Sequence, residues 1–371
     1  MPLPPLVAPV AALPADERER TQRHAVLRGF GEESQRRLAA AHVAIVGAGG
    51  LGSPAVLALA AAGVGILTVI DDDAVDLPNL QRQVLHRLAD VGAPKVDSAV
   101  RAAAELSPHT VVRAVRERLY AGNADALLSG ADLVIDGSDT FATRAVVAAA
   151  CERLGVPLVW GVVQEFHAQV TVFWSRPPAG REPVVLADLH PPDQAGEAPS
   201  CAAVGVLGAL TMQVGSLLAA EAVKLITGVG EPLLGRVLLI DALQGRTTDV
   251  PLHSASAAAS PAAPTPAGPA PAPAAPEPIP LVTAAEMLAA QADEAATLID
   301  VREPWETDAG IVRDSVLIPL GTFLADPSAL EADGPVVVIC AHGIRALQAA
   351  ETLRARGVDA RVLAGGLAAW S

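Results

Sequence analysis

The chain has 371 residues, room for two domains, and its 51% apolar content supplies material for buried cores. A formal net charge of −15 argues against nucleic acid as the main partner, because a phosphate backbone calls for clustered Lys and Arg. Three cysteines (Cys151, Cys201 and Cys340), none in a CxxC pair, exclude a disulfide scaffold and a four-cysteine zinc site. The longest nearly apolar run, Pro54 to Ile70, is interrupted by Gly63 and Gly65 and reads as a helix followed by a buried strand, not as a membrane span. No basic region precedes an apolar stretch near Met1, so a cytoplasmic protein without a signal peptide or membrane partner is expected.

In chain order, the spacing predicts a strand over His42–Val46, a Gly-rich turn over Gly47–Gly52 and a helix over Ser53–Ala62. A β-branched strand follows over Ile66–Ile70, then a helix over Lys95–Leu106 that Ser107-Pro108 ends. Thr110–Val115 and Leu133–Asp136 read as strands, Thr140–Leu154 as a helix and Pro157–Trp160 as a strand. Gln169–Trp174 alternates like an added strand, Val206–Ile226 is a long helix, and Gly235–Ile240 is a last strand. Repeated β-α-β units predict an α/β, Rossmann-like domain over residues 16–251, with a mostly parallel sheet covered on both faces. Residues 252–280 are mostly Ala and Pro; such a stretch buries too little to offset its ordering entropy and reads as a disordered, extended tether. Fully extended, its stretch from Ser254 to Pro280 reaches roughly 80 Å. Residues 281–371 form a second, small α/β domain, with strands expected at Thr297–Ile299, Val336–Ile339 and Ala360–Leu363 and a helix at Ala346–Arg356.

Gly47-Ala48-Gly49-Gly50-Leu51-Gly52 matches G-x-G-x-x-G between a strand and a helix, where glycines let phosphate approach backbone N–H groups at a helix N-terminus. Asp71 and Asp73 end the next strand, where a carboxylate can bind ribose hydroxyls. The fingerprint alone fits NAD at least as well as ATP. Arg82 and Lys95 tip the balance toward ATP, because a triphosphate needs cations for its outer groups. Asp139 follows the Leu133–Asp136 strand at the carboxyl edge of the sheet, where a carboxylate can hold Mg²⁺ against the phosphates. His86 and His109 read as surface or packing residues, and Cys151 as core. Cys201 stands ahead of a helix, where the dipole favours thiolate. Cys340-Ala341-His342-Gly343-Ile344-Arg345 joins a strand to a helix; its N–H groups and Arg345 can stabilise a thiolate or persulfide.

These residues carry a resemblance. Arg20-x-x-Arg23, Leu27-Arg28-Gly29-Phe30, the Gly47–Gly52 loop, Asp71-x-Asp73, Asn79-Leu80-Gln81-Arg82-Gln83, Gly92-x-Pro94-Lys95 and Ser138-Asp139 follow the order of the MoeB/ThiF family. That family is similar to ubiquitin-activating enzymes and adenylates the C-terminal glycine of a small ubiquitin-like sulfur carrier of the MoaD/ThiS kind with Mg-ATP. The resemblance implies that Asp71 binds ribose, that Arg82 and Lys95 hold phosphates and that Asp139 positions Mg²⁺, with Gly47, Gly49, Gly50, Gly52, Asp73, Asn79 and Thr140 around the nucleotide. It implies a homodimer in which Arg23 enters the partner's nucleotide site. It places at Cys201 the thiol that some members use to capture the activated carrier or sulfur. The family often carries two CxxC pairs for zinc; Pro183–Asp188 and Leu243–Arg246 stand there instead, which argues against zinc. Thr140 replaces the usual Asn after the Mg²⁺ aspartate, and Pro78 replaces a common Ser or Thr.

The last 90 or so residues resemble a rhodanese domain through Leu298–Glu303, Ile318-Pro319-Leu320, the Cys340–Arg345 loop and Leu363-Ala364-Gly365-Gly366-Leu367-x-x-Trp370. The common Gly-His-Ile-Pro-Gly-Ala segment is degraded to Gly310–Ser315, and Asp300 and Arg302 read as loop-fixing. The two resemblances together imply a fused adenylyltransferase and sulfurtransferase. Cys340 takes sulfur from a persulfide or thiosulfate donor and converts the activated carrier to a thiocarboxylate. Molybdopterin synthesis is the first destination implied, with thiamine or cysteine carriers as alternatives. Two other readings are an NAD-dependent Rossmann oxidoreductase, which leaves Arg82, Lys95, Asp139 and Cys340 without a joint task, and a non-catalytic protein that binds nucleotide or carrier.

Overall fold

The computed structural model describes residues 3–191, 205–254, 279–292, 296–307, 310–327, 334–341 and 343–367. Most of the expected tether (255–278) and the stretch with Cys201 (192–204) lie outside the described residues. The chain divides into two compact units between residues 262 and 263.

The first unit opens with three helices, α1 (Ala15–Arg20), α2 (Gln22–Ala25) and α3 (Gly31–Ala40), which sequence periodicity did not announce. Then follow β1 (His42–Val46), α4 (Gly52–Ala62), β2 (Ile66–Ile70), α5 (Lys95–Leu106), β3 (Val111–Val115), α6 (Ala124–Leu128), β4 (Leu133–Asp136), α7 (Phe141–Leu154) and β5 (Leu158–Gln164). After β6 (His167–Phe173) and the short α8 (Leu186–Leu189) come the long helix α9 (Gly208–Thr227), β7 (Arg236–Asp241) and β8 (Arg246–Pro251).

The eight strands form one sheet in the order β3-β2-β1-β4-β5-β6-β7-β8. Its first five strands are parallel, with Ala44 opposite Thr68 on one side and Val134 on the other. The mostly parallel sheet expected is extended at one end by strands the sequence did not show as antiparallel: β5 through β8 pair antiparallel. The reason is connection length. Only Glu165 and Phe166 lie between β5 and β6, a hairpin too short for a helical crossover. Glu165 takes the left-handed conformation there, at φ 52°.

Alternation along each strand sends side chains to two cores. Val43, Ile45, Leu67, Val69, Leu133 and Ile135 pack with α4 and α9 on one face. Ala44, Val46, Ile70, Val134, Leu158 and Trp160 pack with α7 on the other. Helix α9 is long and apolar enough to cross a membrane by composition. Here it is a core helix, with Leu210, Val214, Leu218, Ala222, Leu225 and Ile226 buried. The far end of α4 is closed by the N-terminal arm: Arg20 Nη1 donates to Ala61 O at 2.6 Å and Gln35 Nε2 to Ala62 O at 2.7 Å. Glu17, buried, holds Arg20 through two hydrogen bonds of 2.7 and 2.6 Å.

The second unit contains β9 (Leu281–Val282), α10 (Ala284–Ala292), β10 (Thr297–Asp300), β11 (Val316–Leu317), α11 (Leu320–Ala325), β12 (Val336–Ile339), α12 (Ile344–Ala355) and β13 (Ala360–Leu363). Its five strands are all parallel, in the order β11-β10-β12-β13-β9. Val336 and Val338 join Ile299, Phe323, Ala346, Ala350 and Leu353 on one face. Val337 and Ile339 join Met287, Leu298 and Leu363 on the other.

Candidate active site

In the first unit the chain reverses between β1 and β4, leaving a crevice at their carboxyl ends, the place where open α/β sheets bind ligands. The Gly-rich loop leaves β1 on one side and Gly137–Thr140 leaves β4 on the other. Between them lies a cavity of about 250 Å³, lined by Gly47, Gly49, Gly50, Asp71, Asp73, Arg82, Lys95, Asp139 and Thr140 among others. Nine of the residues singled out from sequence therefore meet around one space. Gly52 does not line it: a Cβ there would lie 1.8 Å from the carbonyl oxygen of Gly47. Its task is the close return of helix α4 onto the loop. Gly47 sits at φ +89°, with room for no Cβ beside Gly137 O at 2.9 Å, whereas a Cβ on Gly49 would meet only Gln83 Nε2, at 3.7 Å. That open approach suits a phosphate group against backbone N–H donors.

Asp71 is nearly buried. Its Oδ2 accepts from Ala48 N–H at 2.7 Å and its Oδ1 from Asp73 N–H at 2.9 Å. Burial pushes the Asp71 carboxyl above the usual carboxylate range, against the pull of the Lys95 charge. Both oxygens keep a lone pair for a ribose hydroxyl. Lys95 Nζ lies 2.7 Å from Asp73 Oδ2 and 4.0 Å from Asp71 Oδ2, so its charge is shared before any phosphate arrives. Arg82 donates through Nη2 to Asn79 Oδ1 at 2.8 Å and through Nη1 to Pro78 O at 3.2 Å. Asn79 is thus a brace for Arg82 and does not itself line the cavity. Thr140 caps α7, its Oγ1 accepting from Thr143 N–H at 3.2 Å.

Asp139 lines the cavity, is exposed, and pairs with none of the described residues. A free carboxylate beside a phosphate cradle is a hard oxygen donor of the kind Mg²⁺ takes, so the residues present fit that ion. Arg23, on α2, lies outside this cavity.

Sequence reasoning missed Arg144. It lines the cavity, is buried, and donates through Nη2 to Ser138 O at 3.0 Å, beside Asp139. An arginine in the first turn of a helix opposes the helix dipole, and that oddity was the available signal. His86 is also more than packing: it is buried, and its Nε2–H donates to Ala48 O at 3.0 Å, holding the Gly-rich loop. Burial lowers its pKa, which keeps the ring neutral. The surface alternative for His86 is therefore corrected, whereas His109 is exposed and sits 2.8 Å from Asp16. Cys151 is core, and burial pushes its thiol well above the usual range.

In the second unit Cys340 directly follows β12, is buried, and accepts a hydrogen bond on Sγ from Gly343 N–H at 3.1 Å. Gly366 explains the Gly-Gly pair near the C-terminus: a Cβ on it would lie 2.6 Å from Cys340 O, Ala341 O and Gly343 N. The loop is thus backed by bare backbone, and Leu367 N–H ties Cys340 O at 3.0 Å. Asp300 and Arg302 form a buried pair at 2.7 Å, and Arg302 Nη2 also donates to Gly310 O at 3.0 Å, in keeping with loop fixing. Arg345, expected to add positive charge beside Cys340, does interact electrostatically with it, and both its terminal nitrogens are also bound to Glu306, at 2.6 Å each.

Comparison with known proteins follows the same division. The ThiF family matches residues 21–261 and the rhodanese-like domain residues 283–371. The protein named "Probable adenylyltransferase/sulfurtransferase MoeZ" of Mycobacterium tuberculosis is 38% identical over 100% of this chain and 96% of its own length. The sulfur carrier protein adenylyltransferase of Thermus thermophilus is 45% identical, over 62% of this chain and 85% of its own. A crystal structure of E. coli MccB with MccA-N7isoASN shares the fold, with a TM-score of 0.55 over 66% of this chain and 73% of that one, at 20% identity. The chain belongs to the ThiF family, and its second unit is a rhodanese-like domain.

Proposed function

We propose that the first unit adenylates the C-terminal carboxylate of a ubiquitin-like sulfur carrier and that the second delivers sulfur to it through Cys340. The observation that carries this reading is the convergence of Arg82, Lys95, Asp71 and Asp139 on one crevice at the strand ends. A carboxylate is a poor electrophile. Attack of its oxygen on the α-phosphorus of ATP makes a mixed anhydride and releases pyrophosphate. Two anions must meet, so cations are needed where negative charge builds. Arg82 and Lys95 supply them, Asp71 orients the ribose, and the Gly-rich loop offers backbone N–H groups. Mg²⁺ held at Asp139, when bound, shields the phosphate oxygens from the incoming anion. No general base is required, because the attacking carboxylate is already ionised. An NAD oxidoreductase gives this cation and carboxylate set no joint task.

The sulfur step follows in order. The terminal sulfur of a Cys340 persulfide attacks the acyl carbon and AMP leaves. A second thiolate, for which Cys201 is our candidate, then attacks the Cys340 sulfur: the acyl S–S bond breaks, the thiocarboxylate leaves, and the Cys201–Cys340 disulfide that forms is returned to two thiols by an external dithiol reductant. Molybdopterin synthesis is the destination we favour, in the cytoplasm. The test is mass spectrometry of candidate carriers incubated with the protein, ATP and a persulfide donor. The product should be heavier by the exchange of one oxygen for sulfur, and no such product with MoaD-like, ThiS-like or cysteine-pathway carriers would sink the reading.

A homodimer completes the site. Arg23 lies outside its own chain's cavity, and beside it Val26 and Leu27 are 76% and 54% exposed. An apolar hollow lined by Leu27, Phe30, Ala58, Ala219 and Val223 adjoins them. Arg23→Ala should lose pyrophosphate exchange, as should Asp139→Ala, yet purified heterodimers of the two should regain part of it. In a two-fold dimer one of the two sites then holds both native residues. Heterodimers that stay inactive place Arg23 outside the partner's site.

A further inference from the structure

The cation at the sulfur-bearing loop is already occupied. Arg345 stands in the first turn of α12, and its Nη1 and Nη2 donate to the two carboxylate oxygens of Glu306, at 2.6 Å each. Both side chains are mostly buried, at 15% and 14% exposure. Glu306 is not free to leave. Its Oε2 also accepts from Glu303 N–H at 2.9 Å, and its own carbonyl accepts from Arg302 Nη1 at 3.2 Å. Arg302 is in turn fixed to the buried Asp300. The hydrogen bonds from Arg345 hold the Glu306 carboxyl below the usual carboxylate range, so the pair carries no net charge at neutral pH. At Cys340 Sγ itself, the hydrogen bond seen among the described residues is the single one from Gly343 N–H.

We propose that Glu306 selects the sulfur donor: by neutralising Arg345 it disfavours thiosulfate, a dianion, relative to a singly charged persulfide. This rests on the reading of Cys340 as the sulfur-accepting thiolate. In either reaction the Cys340 thiolate attacks the outer sulfur, a new S–S bond forms and the old one breaks. Sulfite, a dianion, leaves with the electron pair from thiosulfate; a thiolate leaves with it from a persulfide. Each exchange conserves atoms, charge and electrons without a further reactant. The difference is electrostatic. Thiosulfate brings two negative charges to a thiolate, and sulfite carries both away, so binding and departure both call for a facing cation. The paired guanidinium keeps its N–H donors, and its charge, which still acts on Cys340, is offset by that of Glu306.

The experiment uses the full chain with cyanide as sulfur acceptor and two donors, thiosulfate and cysteine persulfide, reading KM and kcat separately. Glu306→Gln keeps the shape and an acceptor for Glu303 N–H while removing the charge. Its KM for thiosulfate should fall about tenfold, the scale of a freed charged hydrogen-bonding group, and its KM for cysteine persulfide should stay within about twofold. Adding Arg345→Ala should remove the gain. An unchanged thiosulfate KM in a folded Glu306→Gln, or an equal fall for both donors, overturns the proposal. The wild type gives a measurement that needs no variant: its thiosulfate KM should hold steady or fall as salt rises, because no net cation attracts the anion. A KM that climbs with salt overturns the proposal too. Cys340→Ser in the Glu306→Gln background separates the two readings. Turnover there removes Cys340 from the reaction, whereas inactivity there together with an unchanged thiosulfate KM in the Glu306→Gln single variant defeats the role of Glu306 alone.

Discussion

Full-length Cys340→Ala is expected to form carrier adenylate at the wild-type rate and to accumulate no thiocarboxylate from a persulfide donor. Only a thiolate holds a transferable sulfane sulfur, and among the described residues Cys340 is the cysteine that accepts a backbone N–H on its sulfur. Cys151 is buried in the first unit, with its thiol pushed far toward the protonated form, and so is no substitute. The alanine removes a buried sulfur next to Phe323 and Leu353 in the same core, a small volume change that the second unit should tolerate. Free sulfide at high concentration should partly rescue the product, because it can attack the acyl-adenylate without an enzyme-bound sulfur. Cys201→Ala is the matched control: it should keep donor-to-enzyme transfer and slow release of the product. Full thiocarboxylate formation by Cys340→Ala, with donor present and sulfide absent, would leave Cys201 as the sulfur carrier.

Asp139→Ala is expected to cut carrier-dependent ATP–pyrophosphate exchange by about a hundredfold or more, the usual cost of losing a group that stabilises developing charge. Because Asp139 is exposed and braces none of the described residues, its loss should leave the melting temperature of the first unit nearly unchanged. That separates it from Arg144, whose removal also frees Ser138 O and takes the neighbouring positive charge away from the buried Asp136. Sulfur transfer from donor to Cys340 should continue at the wild-type rate. Wild-type exchange in the alanine variant would remove Asp139 from the metal site.

Much of the crevice was legible because its parts stand at strand ends. A short apolar run followed by glycines, or by an aspartate, announces both the strand and the side of the sheet where its loop emerges. For that reason the sequence alone brings Gly47, Asp71 and Asp139 to one edge of the sheet. What could not be read was partnership. Lys95 shares its charge with Asp73, Arg82 is braced by Asn79, and Arg345 is held by Glu306, thirty-nine positions away along the chain. Side-chain pairing across such distances depends on packing that periodicity does not encode. The antiparallel half of the sheet was missed for a related reason. A turn with no Gly or Asn-Gly signal, Glu165-Phe166, lets β5 run straight into β6. Helices α1 to α3 are short and polar, and they gain their stability from contacts such as that of Arg20 with the end of α4.

Among the described residues the four buried clusters fall two to each unit, and this has a thermodynamic consequence. Leu38, Val214 and their neighbours belong to one folding unit, and Phe323, Met287 and theirs to another, so the chain should melt in two steps and no one temperature describes its stability. Linkage makes the steps distinguishable. A nucleotide that binds only the native first unit raises that transition alone, by about 2.7 kcal/mol at a hundredfold excess over its dissociation constant. Calorimetry with and without ATP therefore assigns each peak to its unit. A chain in which ATP moved both peaks equally would be melting as one cooperative body.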